Sequence, residues 1–131
     1  MKHKKIIGLL LFICIAVTCL GIVSATETLD GIEFNIPDGY KLESNQSDTP
    51  IEGVTHSEYF FKNGNKNITI EVMTKEDSAI SIKTEFVDNA PKTIKGYEGN
   101  YSQKTNSFTY DKGEQHVVIA AHDAKLEDII I

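Results

Sequence analysis

The stretch that decides the fold is residues 55–74, THSEYFFKNGNKNITIEVMT. Two runs rich in β-branched and aromatic residues, 55–61 and 68–74, flank the polar stretch 62–66. An Asn-Gly dipeptide between two such runs is a strong short-range signal for a β-hairpin. The sequence therefore predicts two antiparallel strands joined by a tight turn.

The parity of this hairpin predicts which side chains are buried, because successive side chains of a strand point to opposite faces. A two-residue turn at 63–64 pairs Tyr59 with Ile68, and a four-residue loop keeps the same parity. A three-residue loop would oppose polar side chains to the apolar face, which is costly. We therefore expect His56 to lie beside or diagonal to Glu71 on the wetter face of the sheet.

The flanking segments predict further strands and one helix. Alternating apolar residues at 31–36 indicate a half-buried strand, and the polar stretch 43–53 is interpreted as an exposed loop. Asp77 or Ser78 can cap a helix near 78–88, in which apolar residues recur at helical spacing. These are Ala79, Ile82, Phe86 and Val87.

The C-terminal half reads as a meander that ends in a short helix. An apolar run at 116–121 predicts an interior strand covered on both faces. Asp123 can cap a short final helix that carries Leu126, Ile129 and Ile130 inward. We predict an α+β fold: an antiparallel sheet of about six or seven strands, with the helix near 78–88 packed on one face and a short C-terminal helix.

The first 25 residues show the order of features typical of an export signal. A basic head at 1–5 precedes an uncharged apolar stretch of 18 residues, 6–23. Small residues follow, so we expect a signal peptide of residues 1–25, cleaved between Ala25 and Thr26. The alternative is an uncleaved N-terminal anchor, because a bilayer is spanned by about 20 apolar residues. Either outcome predicts a secreted protein or one on the outer face of the cytoplasmic membrane.

Residues 26–131 are predicted to form one acidic domain. Three of the 13 lysines precede Thr26 and arginine is absent, so 10 lysines face 19 acids and the net charge is about −9. Such a domain is a poor nucleic-acid binder, because phosphate contacts need positive potential. Both cysteines, Cys14 and Cys19, precede the cleavage site. This position excludes a disulfide scaffold, a thiolate metal site and a cysteine nucleophile from the domain.

No short motif indicates catalysis or a cofactor. The chain contains neither a Gly-x-Ser-x-Gly elbow nor a Ser-x-x-Lys pair. His116 and His122 share one strand face, but six residues separate them by roughly 20 Å, too far to share a metal. His56 could join one of them with Glu71 or Asp123, but no short-range ligand spacing supports such a site. We therefore expect no metal site, no cofactor and no catalytic residue.

Three Asn-x-Ser/Thr sequons are candidate glycosylation sites if the chain is exported. They begin at Asn45, Asn67 and Asn100. Asn45, in the polar stretch, is expected to be the most accessible of the three.

The chain resembles a group of small exported proteins of methanogenic archaea. The likeness rests on LDGIEFNIPDGY at 29–40, KTIKGYEG at 92–99, and the ending from FTYDKGE at 108–114 to LEDI at 126–129. The predicted order of elements is also distantly similar to the PsbP and Mog1 type of α+β sandwich. The resemblance implies export and a fold, and no functional residue can be carried over from it.

The favoured function is a non-enzymatic cell-surface binding or accessory module, with a cell-envelope protein or glycan as partner. Membrane contact is expected only through an uncleaved N-terminal segment, and the oligomeric state stays open. The alternative is a small extracytoplasmic hydrolase whose residues meet only in three dimensions. Its candidates are His116, His122 and Asp123, near the end of one strand.

Overall fold

The computed structural model describes residues 24–131, which form nine β-strands and one short helix. The strands are β1 Ser24–Leu29, β2 Ile32–Pro37, β3 Lys41–Ile51, β4 Val54–Asn63, β5 Lys66–Lys75, β6 Ala90–Ile94, β7 Tyr97–Ser102, β8 Ser107–Lys112 and β9 Gln115–Ala121. The helix, α1, is Leu126–Ile129.

Seven strands form one antiparallel sheet in the order β3-β4-β5-β9-β8-β7-β6, and β1 and β2 form a separate two-stranded ribbon. The expectation of an α+β fold is therefore wrong, since residues 24–131 are mostly β and the one helix among them has 4 residues. The chain crosses once within the sheet, from β5 to the edge strand β6, and returns strand by strand to β9 beside β5.

The hairpin of β4 and β5 confirms the predicted parity but not the predicted partners. Tyr59 pairs with Ile70 rather than Ile68, and Asn63 pairs with Lys66, so the turn residues are Gly64 and Asn65. A shift of two residues keeps every side chain on its expected face.

One face of the sheet supplies the core. Alternate residues of the central strands are fully buried, among them Ile70, Phe108 and Ile119. The β1–β2 ribbon and the C-terminal segment cover this face with apolar side chains, including Phe34 and Ile129. The prediction of a half-buried strand at 31–36 is confirmed, because the alternate residues of β2 are buried.

Polar contacts attach the ribbon to the sheet at its tight turn. The Tyr59 hydroxyl donates to Asp30 Oδ1 at 3.0 Å, and Gln115 Nε2 donates to the Asp30 carbonyl oxygen at 2.7 Å. Asp30 and Gly31 have φ angles of 50° and 82°, as expected for a two-residue hairpin turn of mirror-image type. The turn thus positions the ribbon over the core.

The predicted helix near 78–88 is absent, and the chain there contains only turns at 78–79 and 87–88. The buried positions alternate with a period of two: Ile80, Ile82, Thr84, Phe86 and Asp88 are half-buried, and the residues between them are exposed. The helical spacing was the wrong period, because β-branched residues at alternate positions favour an extended chain. Residues 80–88, here called the strap, lie extended on the polar face of the sheet.

Two smaller expectations also need correction. The stretch 43–53 is not a loop, since residues 41–51 form the edge strand β3, whose residues are all exposed. Pro50 is tolerated there because an edge strand has one side without ladder hydrogen bonds. Asp123 does not cap α1: the N-cap residue is Lys125, and it makes no side-chain cap hydrogen bond.

The expectations about export fall mainly outside the described residues. The basic head and the apolar stretch to position 23 lie there, whereas Ala25 and Thr26 lie in β1, paired with Ile36 and Asn35. Within residues 24–131, no helix is long and apolar enough to cross a membrane. Cleavage between Ala25 and Thr26 stays a prediction.

Gly99 of β7 is required by close packing. A Cβ atom at this position would overlap the backbone oxygen of Thr109 and press on the ring of Phe108. We expect Gly99→Ala to lower the free energy of unfolding by about 1–3 kcal/mol, because the backbone of β8 must move. Urea denaturation measures this, with exposed Gln103→Ala as the control. Equal stability of both variants would contradict the packing of β7 on β8.

Candidate functional site

The polar face of the sheet carries two histidines, and each is held by carboxylates. Its residues belong to the alternate set that points away from the core, and the strap lies across part of it. The first cluster centres on His56 of β4, and the second on His116 of β9.

Both nitrogens of the His56 imidazole meet a carboxylate. Nδ1 lies 2.8 Å from Asp48 Oδ1 of β3, and Nε2 lies 2.9 Å from Glu71 Oε1 of β5. His56 pairs directly with Asp48 in the sheet, and Glu71 is diagonal to it. The expectation that His56 lies beside or diagonal to Glu71 is therefore confirmed.

These two carboxylates favour the protonated imidazole. Partial burial lowers the pKa of His56, but the hydrogen bonds to Glu71 and Asp48 and their negative charges outweigh it and raise the pKa. Both ring nitrogens donate when the imidazole is charged.

Three potential metal ligands also meet here. The ligand atoms of His56, Glu58 and Glu71 all lie within 4.8 Å of one another, the only such group within residues 24–131. Hairpin parity predicted that His56 and Glu71 lie together on this face, but no metal site was expected because no short-range ligand spacing supports one. Asp48 was missed because it was assigned to a loop, and a uniformly polar edge strand has no periodicity that would reveal its pairing with β4.

His116 lies at the centre of the second cluster, and only 5% of its surface is exposed. Its Nδ1 lies 2.7 Å from Asp111 Oδ1, and its Nε2 lies 2.9 Å from the hydroxyl oxygens of both Thr84 and Thr109. Thr109 donates its proton to the Val117 carbonyl oxygen at 3.0 Å. When Nδ1–H donates to Asp111, Nε2 is the acceptor, so the Thr84 hydroxyl is the one that donates to it.

The strap is anchored by this histidine and by a second contact further along. Asp88 accepts hydrogen bonds from the Ser102 hydroxyl at 2.5 Å and from the Lys104 backbone N–H at 3.0 Å. These bonds lower the pKa of Asp88. The strap is thus attached to β9 through Thr84 and to the end of β7 through Asp88.

A groove of about 280 Å³ opens between the strap and the sheet, above His116. It is lined mainly by carboxylates, amides and hydroxyls: Ile82, Lys83, Thr84, Glu85, Asn89, Glu98, Gly99, Asn100, Thr109, Tyr110, Asp111 and His116. Three of these residues are acidic and one is a lysine, so the groove disfavours anionic ligands.

The candidate hydrolase residues are not brought together. His116 contacts Asp111 and two threonines, whereas His122 and Asp123 are exposed beyond the end of β9. They line a wide depression of about 660 Å³ with Lys104, Thr105, Asn106, Ala121, Ala124 and Lys125. Among residues 24–131, no second carboxylate and no serine line that depression.

The three sequons lie on strands. Asn45 is exposed on β3, and Asn67 is half-buried at the start of β5. Asn100 lines the groove. A glycan on Asn45 would project from the sheet edge, whereas one on Asn100 would occupy the groove.

The chain was compared with protein-family models, curated proteins and solved structures, and no match was found. The resemblance to small exported archaeal proteins stays a prediction.

The titration of His56 tests the first cluster. In buffer containing a chelator, we expect the NMR midpoint of its imidazole above the ordinary value of 6.5, and lower midpoints in Asp48→Asn and Glu71→Gln. Because the pKa of His56 is higher in the folded than in the unfolded state, protonation of His56 stabilises the fold. This contribution to the free energy of unfolding is fully present below pH 6.5 and is lost as the pH rises through the folded pKa. An imidazole that stays neutral to low pH would contradict the hydrogen bonds.

Proposed function

We propose that the protein is an extracytoplasmic, non-enzymatic binding module that holds an uncharged sugar unit of a cell-envelope glycan in the groove beside the strap. The observation that carries this proposal is the lining of the groove, where side-chain amides, hydroxyls and carboxylates converge. Export is supported by the signal-like N-terminus.

The size and charge of the groove select the ligand class. Its volume of about 280 Å³ is just below the usual range of small-molecule sites, so it suits a single ring rather than a drug-sized molecule. Glu85, Glu98 and Asp111 outnumber Lys83, which disfavours phosphate and carboxylate ligands. Asn89 and Asn100 offer both donors and acceptors, which match vicinal hydroxyl groups.

The burial of His116 supports a binding role. Its ring is buried, Nδ1 lies 2.7 Å from Asp111 Oδ1, and Nε2 accepts from the Thr84 hydroxyl. A general base must reach the proton that it removes from a substrate or nucleophile, and the proton that Nε2 reaches belongs to Thr84 of the strap. In a binding module this hydrogen bond fixes the strap that forms one wall of the groove.

Glycan binding is tested by NMR titration of the protein with neutral and acidic oligosaccharides. We expect amide shifts confined to the strap and β7–β8 with neutral sugars, and at least tenfold weaker binding in Asn100→Ala and Glu98→Ala. Glu33→Ala, an exposed residue of β2, is the matched control. Binding unaffected by both groove variants would overturn the proposal, as would a native glycan attached to Asn100.

One observation favours a second candidate, a hydrolase. Asp111, His116 and Thr84 form a continuous acid–imidazole–hydroxyl chain at the groove, the order of groups found in nucleophilic hydrolases. In this case Thr84 Oγ1 would attack an ester carbonyl, its proton would pass to His116 Nε2, and the alcohol would leave with that proton. Water would then hydrolyse the acyl-Thr84 ester, releasing the acid and restoring the hydroxyl.

A p-nitrophenyl ester assay decides between the two candidates. We expect no turnover above that of a His116→Gln variant, in agreement with a binding module. A hydrolase would show a burst of p-nitrophenol that Thr84→Ser retains and Thr84→Val loses. Thermal melting of each variant separates loss of the hydroxyl from loss of the fold.

A further inference from the structure

The cluster around His56 has the organisation of a metal site. Asp48 holds Nδ1 of the imidazole, and Nε2 points toward Glu71, with Glu58 close by. A hollow of about 110 Å³ beside Asp48, His56 and Glu58 provides access from solvent. Exposure is modest, with side-chain values of 22% for His56 and 31% for Glu71.

The hydrogen bond between Asp48 and Nδ1 of His56 is one that zinc-bound histidines commonly make. Metal-ligating histidines almost always donate the second ring N–H to a carboxylate or carbonyl, which fixes the tautomer and the ring orientation. Asp48 pairs directly with His56 across β3 and β4, so the sheet itself sets this contact. Nε2 is then the ligand atom, and it lies on the side of the two glutamates.

The two glutamates are arranged unfavourably unless a cation joins them. Glu58 and Glu71 are directly opposite each other on β4 and β5, and like charges at such positions are destabilising. Within residues 24–131 no lysine nitrogen lies within 4.0 Å of either carboxylate. The three carboxylates around His56 carry three negative charges. Protonation of His56 neutralises one of them, whereas a divalent cation bound beside a neutral His56 neutralises two.

We propose that His56 Nε2, Glu58 and Glu71 bind a divalent transition-metal ion of the Zn²⁺ class, with Asp48 as the outer-sphere partner of the histidine. Ligand atoms around tetrahedral zinc are about 3.4 Å apart. Because the ligand atoms of the three side chains already lie within 4.8 Å of one another, changes of side-chain rotamer suffice to bring them to that spacing. The hydrogen bond from Nε2 to Glu71 is exchanged for two metal bonds. The fourth position is open to water or to a ligand atom of a partner.

The ligand set selects the ion. One imidazole and two carboxylates suit zinc and neighbouring first-row ions, whereas Ca²⁺ needs six to eight oxygen ligands and Mg²⁺ near-ideal octahedral geometry. The three ligands lie on β4 and β5, and none of them lines the sugar groove. The metal proposal therefore stands independently of the proposed function.

Isothermal titration calorimetry of the protein, made without a polyhistidine tag, tests the site with Zn²⁺ and with Mg²⁺. We expect one Zn²⁺ per chain and no Mg²⁺ binding. His56→Gln and Glu71→Gln should each weaken Zn²⁺ binding at least 100-fold, and Asp48→Asn about 10–100-fold. His122→Gln removes an exposed histidine outside the cluster and should bind as tightly as the wild type.

Two further measurements keep the test independent of folding. Thermal melting shows whether each variant is folded, and NMR of the wild type shows whether Zn²⁺ shifts the His56 ring signals. The proposal is overturned if folded His56→Gln retains full affinity, if Zn²⁺ leaves the His56 ring unshifted, or if micromolar Zn²⁺ does not bind.

Discussion

The rest of the structure depends on the burial of one face of the seven-stranded sheet. Strand alternation places the large apolar side chains on one side, where the β1–β2 ribbon and the C-terminal segment cover them. Burial of a polar group without a hydrogen bond is costly, so most charged members of the same strands lie on the other face. The chemistry of the molecule is therefore concentrated on one face.

The polar face is divided by the strap into two regions with different properties. Near β7, β8 and β9 the strap covers the sheet and forms a groove whose floor is the buried network of His116. Near β3, β4 and β5 the sheet carries the His56 cluster, whose imidazole is more exposed than that of His116, at 22% against 6% of the side chain. Both histidines contact carboxylates of neighbouring strands, but within the described residues only His116 is hydrogen-bonded to the strap, through the Thr84 hydroxyl.

An acidic domain without cysteines must arrange its charges with few cations. Within residues 24–131 only one lysine, Lys62, forms an ion pair with a carboxylate, at 3.9 Å from Glu43. Histidines carry the other three close contacts with carboxylates. Buried polar atoms are nonetheless satisfied, since no buried side-chain nitrogen or oxygen within this part of the chain lacks a partner. Imidazoles, amides and hydroxyls therefore organise this face in place of lysines.

The sequence by itself determined the features that depend on short-range periodicity. Alternation predicted the faces of β2, β4 and β5, and the apolar run predicted β9 as an interior strand, which its buried residues confirm. The exact register was missed by two residues, because parity constrains the face and not the turn. The strap was mistaken for a helix because some of its apolar residues recur at helical spacing, whereas its β-branched residues at alternate positions favour the extended form that packs on the sheet.

Tertiary structure decided the remaining contacts of the candidate sites. Hairpin parity placed His56 beside Glu71, but Thr84 meets His116 across 32 positions of sequence, and this contact does not follow from local spacing. Asp48 reached the cluster through an edge strand with no apolar pattern, for which periodicity carries no signal. Contacts of this kind are set by the pairing of strands that are distant in sequence. That pairing depends on how the whole sheet assembles.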